Sequence, residues 1–353
     1  MHDGRIISFK SRPTMLRLLS SVFAAAAVVS QPTSATQAVL VPVTAETAGV
    51  ADQGDSDDPA VWVDRADRTQ SLVIGTYKAG GLALFDLKGR LLQFVADGEF
   101  NNVDLRYGFR LGDRLVDLVA ATNRRTDSID FYEVDPVARQ LVRLGAHPLG
   151  YEPYGVCLYQ GSAGGTSVFL PTKTGRIEQL KLDGASGKVE AQLVRTLSLP
   201  TQTEGCVADD GLDQIFVGEE NVGLWRFDAR PDGPSAGTLV DSVAGGRLVA
   251  DVEGLAIAAG DAGAGHLVVS SQGSSEFAVY DRVAPHTYRG RFALGPGSGD
   301  AVTKTDGLEI VTADLGGRFS RGLLVAHDDD NQGGEPNFKL VAWSDVLEKL
   351  APR

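Results

Sequence analysis

The chain has 353 residues, 43% of them hydrophobic, with 42 glycines, two cysteines and a formal net charge of −13. That length suits one large all-β domain or two smaller ones. The acidic balance argues against a nucleic-acid partner, and two cysteines are too few for a disulfide scaffold. An anionic substrate would therefore have to be drawn in by a local group of cations or by bound metal.

The N-terminus stands apart from the rest. Arg5, Lys10, Arg12 and Arg17 make a basic region, Leu18 to Val29 is an apolar run rich in Ala, and residues 34–38 offer small residues for cleavage. Residues 1–38 read as a signal peptide whose apolar part is too short to span a membrane. Met15 is an alternative start, because the residues before it add nothing to the pattern. Cleavage after residue 36 removes four positive charges and Asp3, leaving a net charge of about −16. No later segment is apolar enough to cross a bilayer. A secreted or periplasmic, monomeric protein without membrane partners is expected.

Val39 to Val43 is a short strand candidate, and repeats follow it. Their openings fall at Asp58, Asn102, Tyr154, Glu204, Glu253 and Asp306, in steps of 44, 52, 50, 49 and 53 residues. Each opening leads into a short apolar strand, and a second strand follows: Leu72-Val73-Ile74-Gly75, then Val116 to Val119, Ser167 to Leu170, Ile215 to Val217, Leu267 to Ser270 and Leu323 to Ala326. Third strands such as Gly81 to Asp86 and Gly223 to Phe227 come next, and fourth strands such as Leu91 to Val95 can be read in most copies. Strands separated by turn residues at a period near fifty are the pattern of propeller blades. The expected fold is all-β: a six-bladed β-propeller over residues 39–353 with four-stranded blades. The strand near Val41 should close the last blade beside Lys339 to Trp343, and residues 344–353 should form a short helical tail. Cys157 lies two residues past the Gly of its repeat and Cys206 one past its own, so period two points them to opposite faces. Two free, buried thiols are expected.

Equivalent positions in a propeller lie at equal heights. The openings therefore form a ring of Asp57 and Asp58, Asn102, Tyr154, Glu204, Glu253 and Asp306. A wider ring at the same face carries Lys78, Arg124, Lys173, Glu219 and Glu220, Gln272 and Asp328, with Asp251 and Asp300 just upstream of two openings. Solvated turn acids are the ordinary reading of any single Asp-Gly pair, but four acidic openings in register are a different matter. Carboxylates brought together repel unless neutralised, and oxygen ligands of this kind suit Ca²⁺, which takes about 6–8 of them. No His or Cys stands in either ring, which disfavours zinc. Asp328-x-Asp330-x-Gln332-Gly333 imitates an EF-hand start, but Lys339 stands where the twelfth-position Glu is needed. Cations beside a metal cluster suit phosphoryl groups: Arg124 can fork onto a phosphate, whereas Lys78 and Lys173 act as point charges. The sequence has no phosphohistidine motif, cysteine-phosphatase loop, P-loop or Gly-x-Ser-x-Gly motif. Two rivals remain, a propeller lactonase or sugar-ester hydrolase with one central Ca²⁺, and a non-catalytic interaction propeller.

These residues resemble the calcium-dependent β-propeller phytases over nearly all of residues 39–345. The motifs that carry the resemblance are Asp57 to Trp62, Asn101 to Tyr107, Thr203-Glu204-Gly205, Asp251 to Leu255, Ser270 to Gly273 and Thr305-Asp306-Gly307. The resemblance implies stepwise hydrolysis of myo-inositol hexakisphosphate (phytate) and lower inositol phosphates on several calcium ions. Its phosphate-binding residues fall on Lys78, Arg124 and Lys173 beside Tyr154. Its catalytic calcium ligands fall on Asp57, Tyr154, Glu204, Glu220, Asp251, Glu253 and Asp306. Structural calcium ligands would be Glu46, Asp58, Asn101, Asp300, Asp328 and Asn331. A calcium-bridging water is the expected nucleophile, with Glu220 orienting or deprotonating it. The family pairs two lysines where this chain has Lys78-Ala79, and Lys-Glu where it has Lys173-Thr174, both where a second phosphate would be held.

Overall fold

The computed structural model describes residues 1–5, 8, 37–162 and 164–351. The chain divides into two units, Met1–Ser34 and Ala35–Arg353, and every strand belongs to the second. The apolar leader Leu18 to Val29 and residues 34–36 of its cleavage stretch lie outside the described residues. No helix among the described residues is long and apolar enough to cross a membrane.

Six antiparallel sheets follow one another along the chain and form a six-bladed propeller. Their opening strands are Ser56–Trp62, Phe100–Leu111, Cys157–Gln160, Thr203–Asp209, Val252–Ala259 and Leu308–Val311. Residues of five of these strands, with Val156 just before the other, line a central cavity of about 370 Å³. The runs Leu72 to Ile74 and Leu82 to Phe85 are fully buried, because both faces of a blade pack against neighbouring blades. That double burial explains why these strands read as continuous apolar runs rather than alternating ones. Six apolar cores fill the six gaps between blades: Ile74, Leu82 and Leu84 meet Phe100, Val119 and Tyr132, for example. Val73 and Phe85 meet Leu323, Val325 and Phe338 across the closing gap. Each such side chain contributes about 1.5–3 kcal/mol when fully buried, so the rim is carried on rigid sheet.

Closure differs from the sequence reading in one respect. Val39–Pro42 runs parallel to Tyr288–Gly295 and becomes a fifth strand of blade five. Blade six is closed instead by the two-residue strand Ala45–Glu46, paired to Leu340 and Lys339. The chain crosses between blades at one step, with Val43 N–H bonded to Gly295 and Thr44 N–H to Leu340. Val41 and Val43 thereby fill the core between blades five and six. The helix Trp343–Leu350 lays Trp343 and Val346 on that same core.

The opening strands share an irregularity. Register shifts occur between Ser56 and Pro59, Phe100 and Val103, Thr203 and Cys206, and Val252 and Leu255. A bulge of this kind re-aims side chains and bends its strand. The residues inside these four are Asp57-Asp58, Asn101-Asn102, Glu204-Gly205 and Glu253-Gly254. The glycines have a packing reason: a Cβ at Gly155 would collide with the Glu204 carbonyl oxygen, one at Gly205 with that of Glu253, and one at Gly254 with that of Asp306. The openings of blades three, four and five thus rest directly on the next blade's acidic opening. The same bulge corrects the cysteine expectation. Cys157 and Cys206 form a disulfide with Cα atoms 6.0 Å apart, because the shift ahead of Cys206 breaks the alternation that had placed it on the opposite face.

Candidate metal and phosphate centre

The bulged openings and the ends of the second strands meet at a cavity of about 320 Å³ at one mouth of the ring. It gathers Glu204, Glu220, Asp251, Glu253 and Asp306 with Lys78, Arg124, Lys173, Tyr154 and Asn101, and adds Gln202 and Gln272. Carboxylate oxygens of Glu204, Glu220 and Glu253 lie within 4.8 Å of one another, and all three side chains are buried. Burial pushes the Glu204 carboxyl up to about 7, with Asp306 adding repulsion. Burial, then Glu204 and Glu220, drive that of Glu253 well above the carboxylate range. Glu220 is raised by burial and by Asp251.

Asp57 is wholly buried beneath this cluster, and neither of its oxygens accepts a hydrogen bond. Burial raises its carboxyl strongly, and Lys78 offsets this only in part. Buried carboxylates of this number are costly without a counter-charge. The residues lining the cavity offer hard oxygens, which fits Ca²⁺, and the imidazole nearby, that of His327, stands behind the lining, grouped with Asp55 and Asp306.

The cations occupy one side. Lys78 Nζ lies 2.9 Å from Asp55, 3.1 Å from Asp57 and 2.8 Å from Asp306. Burial acts to lower its pKa, but the three carboxylates outweigh it and keep the ammonium charged. Lys173 Nζ stands 5.0 Å from the centre of the Tyr154 ring. The Tyr154 hydroxyl is 3.5 Å from Glu220 Oε1 and accepts from Gln202 at 3.2 Å. Burial and Glu204 raise that hydroxyl's pKa, so it remains a donor. Arg124 Nη1 donates to Asn101 Oδ1 at 3.3 Å, and Asn101 in turn donates to Glu204.

Two residues of the site, Asp55 and Glu152, escaped the sequence reading, and a third, His327, was passed over there in favour of its neighbour Asp328 as a ligand. Asp55 carries Lys78. His327, fully buried, accepts the Asp306 backbone N–H at Nδ1, which leaves Nε2 as the N–H facing Asp55 Oδ1 at 3.4 Å. Glu152 bridges Arg124 and Lys173. Only the acidic run from Asp55 to Asp58 hinted at the first.

Other expected members lie elsewhere. Asp58 faces the central cavity and accepts the Val103 N–H at 3.1 Å. Glu219 is turned away from the mouth, accepting from the Thr201 backbone and hydroxyl and from Trp225 Nε1. Glu46, Asp300, Asp328 and Asn331 do converge, but around a lysine. The fully buried Lys339 Nζ lies 2.6 Å from Glu46, 2.8 Å from Asn331 and 3.2 Å from Asp328, and also contacts Asp300. Lys339 thus already supplies this second set with a counter-charge, which the acids at the mouth have only on the side of Lys78.

Comparison with known proteins follows this geometry. The family model described as Phytase matches residues 11–352. The 3-phytase of Bacillus subtilis (strain 168) is 37% identical over 320 residues, which is 86% of this chain and 84% of that one. A solved chain of BBS1N in complex with ARL6DN, soaked with lead, aligns at 13% identity and a TM-score of 0.49, covering 87% of this chain and 99% of its own. That likeness is too slight to carry an argument. The family match runs through every blade and takes in the whole mouth, and on that ground the chain belongs to the phytase family.

Proposed function

We propose that this chain hydrolyses phytate and lower inositol phosphates at the channel mouth, removing phosphate stepwise with calcium held by Asp57, Glu204, Glu220, Asp251, Glu253 and Asp306. The observation that carries the reading is the meeting of buried, mutually repelling carboxylates with a separate arc of Lys78, Arg124 and Lys173 in one cavity. Calcium bound there would neutralise the acids and the phosphate oxygens and would lower the pKa of the attacking water.

The chain's own groups do the rest. Arg124 presents a planar fork to two phosphate oxygens, and Lys78 and Lys173 add point charges, so charge building on the transferred group meets fixed cations. Glu220 is the base. A carboxylate placed there can take a proton from the attacking water, and the Tyr154 hydroxyl beside Oε1 fixes its direction. Water oxygen bonds to phosphorus and keeps one proton as the new P–OH, while its other proton passes to Glu220. The phosphorus bond to the inositol oxygen breaks, and that oxygen takes up a proton from solvent to leave as the alcohol, while Glu220 returns its own to solvent. The calcium proposed here is the one at the mouth; Glu46, Asp300, Asp328 and Asn331 already have Lys339 as a counter-charge. The N-terminal leader supports a secreted or periplasmic location, and a monomer suffices because the mouth draws all its groups from one chain.

The test is phosphate release from phytate after chelation, then after returning calcium, magnesium or zinc. Release should vanish in chelator and return with calcium. Full release in chelator, or none with calcium restored, would overturn the reading.

A further inference from the structure

One carboxylate stands on the cationic arc without belonging to the acidic cluster. Glu152 lies in the connection between blades two and three, two residues before Tyr154. Its Oε1 accepts from Lys173 Nζ at 2.9 Å and from Arg124 Nε at 3.1 Å. These are charge-assisted lengths, and they engage two of the three cations assigned above to phosphate. A carboxylate oxygen held by an ammonium and a guanidinium makes the same contacts that a phosphate oxygen would make there. Lys173, then Arg124, hold the Glu152 carboxyl below its ordinary range, so it remains an anion at neutral pH. The side chain is 49% exposed and has water on one side into which it can turn.

We propose that Glu152 is a resident anion of the phosphate arc: it occupies Lys173 and Arg124 when no substrate is bound, and an entering phosphate must displace it. The proposal rests on the reading of this arc as phosphate-binding. Ion pairs as exposed as this one are weak. A phosphate dianion, which can take both prongs of the Arg124 fork, therefore wins the exchange, but with reduced affinity. Orthophosphate, the product, meets the same competition. The consequence is a mouth that releases product readily and resists saturation by it.

Glu152 differs in kind from the acids of the cluster. Those are buried and their oxygens converge on one another, whereas Glu152 touches only cations and has no carboxylate partner among its hydrogen bonds. Changing it to Gln keeps the shape and removes the competing charge.

The experiment is calorimetric titration of orthophosphate into the calcium-loaded protein, comparing wild type, Glu152→Gln and Arg124→Ala, with product inhibition of phytate hydrolysis measured alongside. Glu152→Gln should tighten orthophosphate binding and lower its inhibition constant about twofold to fivefold, the upper part of the range for one exposed ion pair. It should also steepen the loss of binding with added salt, because the arc gains net positive charge. If wild type binds orthophosphate, Arg124→Ala weakens that binding, and Glu152→Gln leaves it unchanged or weaker, then Glu152 holds the cations in place and is not a competitor. That result overturns this proposal alone. If wild type and Glu152→Gln both fail to bind, or Arg124→Ala binds as well as wild type, the phosphate arc itself is refuted and this proposal falls with it.

Discussion

Lys339→Met removes a charge on which a whole corner of the ring depends. The lysine is fully buried, and its ammonium serves Glu46, Asp300, Asp328 and Asn331 together. Burial opposes that charge, but Asp300, Glu46 and Asp328 outweigh it and hold the ammonium protonated. Met keeps the apolar stem and deletes the cation. Glu46 is 37% exposed and can turn to water, but Asp300 and Asp328 are 8% and 0% exposed and cannot. Taking one partner from a buried ion pair costs about 3–5 kcal/mol. Two buried carboxylates rely on this one cation, so the loss should sit at the upper end of that range. For a domain of about 315 residues each kcal/mol moves the melting temperature by about 1.5 °C, so a fall of about 6–8 °C is expected. The assay is a set of paired melts and urea curves in chelator and in millimolar calcium. The variant has four vacated oxygens, and calcium should raise its melting temperature by more than it raises that of wild type. Equal melting temperatures for variant and wild type in chelator would refute the idea that Lys339 is the internal cation of this corner.

Two further outcomes follow from the mouth and the channel. Arg124→Ala should lower kcat by about 10²–10³, as loss of a transition-state donor does, with a smaller effect on KM; Arg124→Lys should recover part of it, and a shared fall in melting temperature would mark the residue as structural instead. Glu309, on the central channel, is pushed up to about 8 by burial and then by Asp104. Its raised folded pKa means that stability present below about pH 4.5 is lost as pH rises through about 8. Glu309→Gln should therefore gain on wild type between pH 5 and pH 9. The ceiling is about 5 kcal/mol, and less is expected because the side chain borders a cavity. Urea midpoints at the two pH values check this, and a difference that does not change with pH would sink it.

Sequence alone determined the repeat, the number of blades and most of the mouth. The reason is that each blade is built from local strand-turn-strand contacts, so equivalent residues recur about every fifty positions and land at equal heights. Glu204, Glu253 and Asp306 could be placed together on that ground, and so could Lys78, Arg124 and Lys173. Tertiary structure decided whatever depends on bulges or on partners distant in the chain. A bulge separates Asp57, under the mouth, from Asp58, in the channel, and another brings Cys206 to Cys157. The glycines after Glu204 and Glu253 make sense only against the next blade's carbonyl, and the one after Asp306 against Asp58. Lys339 looked like a failed twelfth ligand of a loop and proved to be the cation of four side chains, its cross-strand partner Glu46 and the more distant Asp300, Asp328 and Asn331. Periodicity gives a residue its height and its blade; which way the side chain points, and what charge it meets there, is set by packing between strands far apart in sequence.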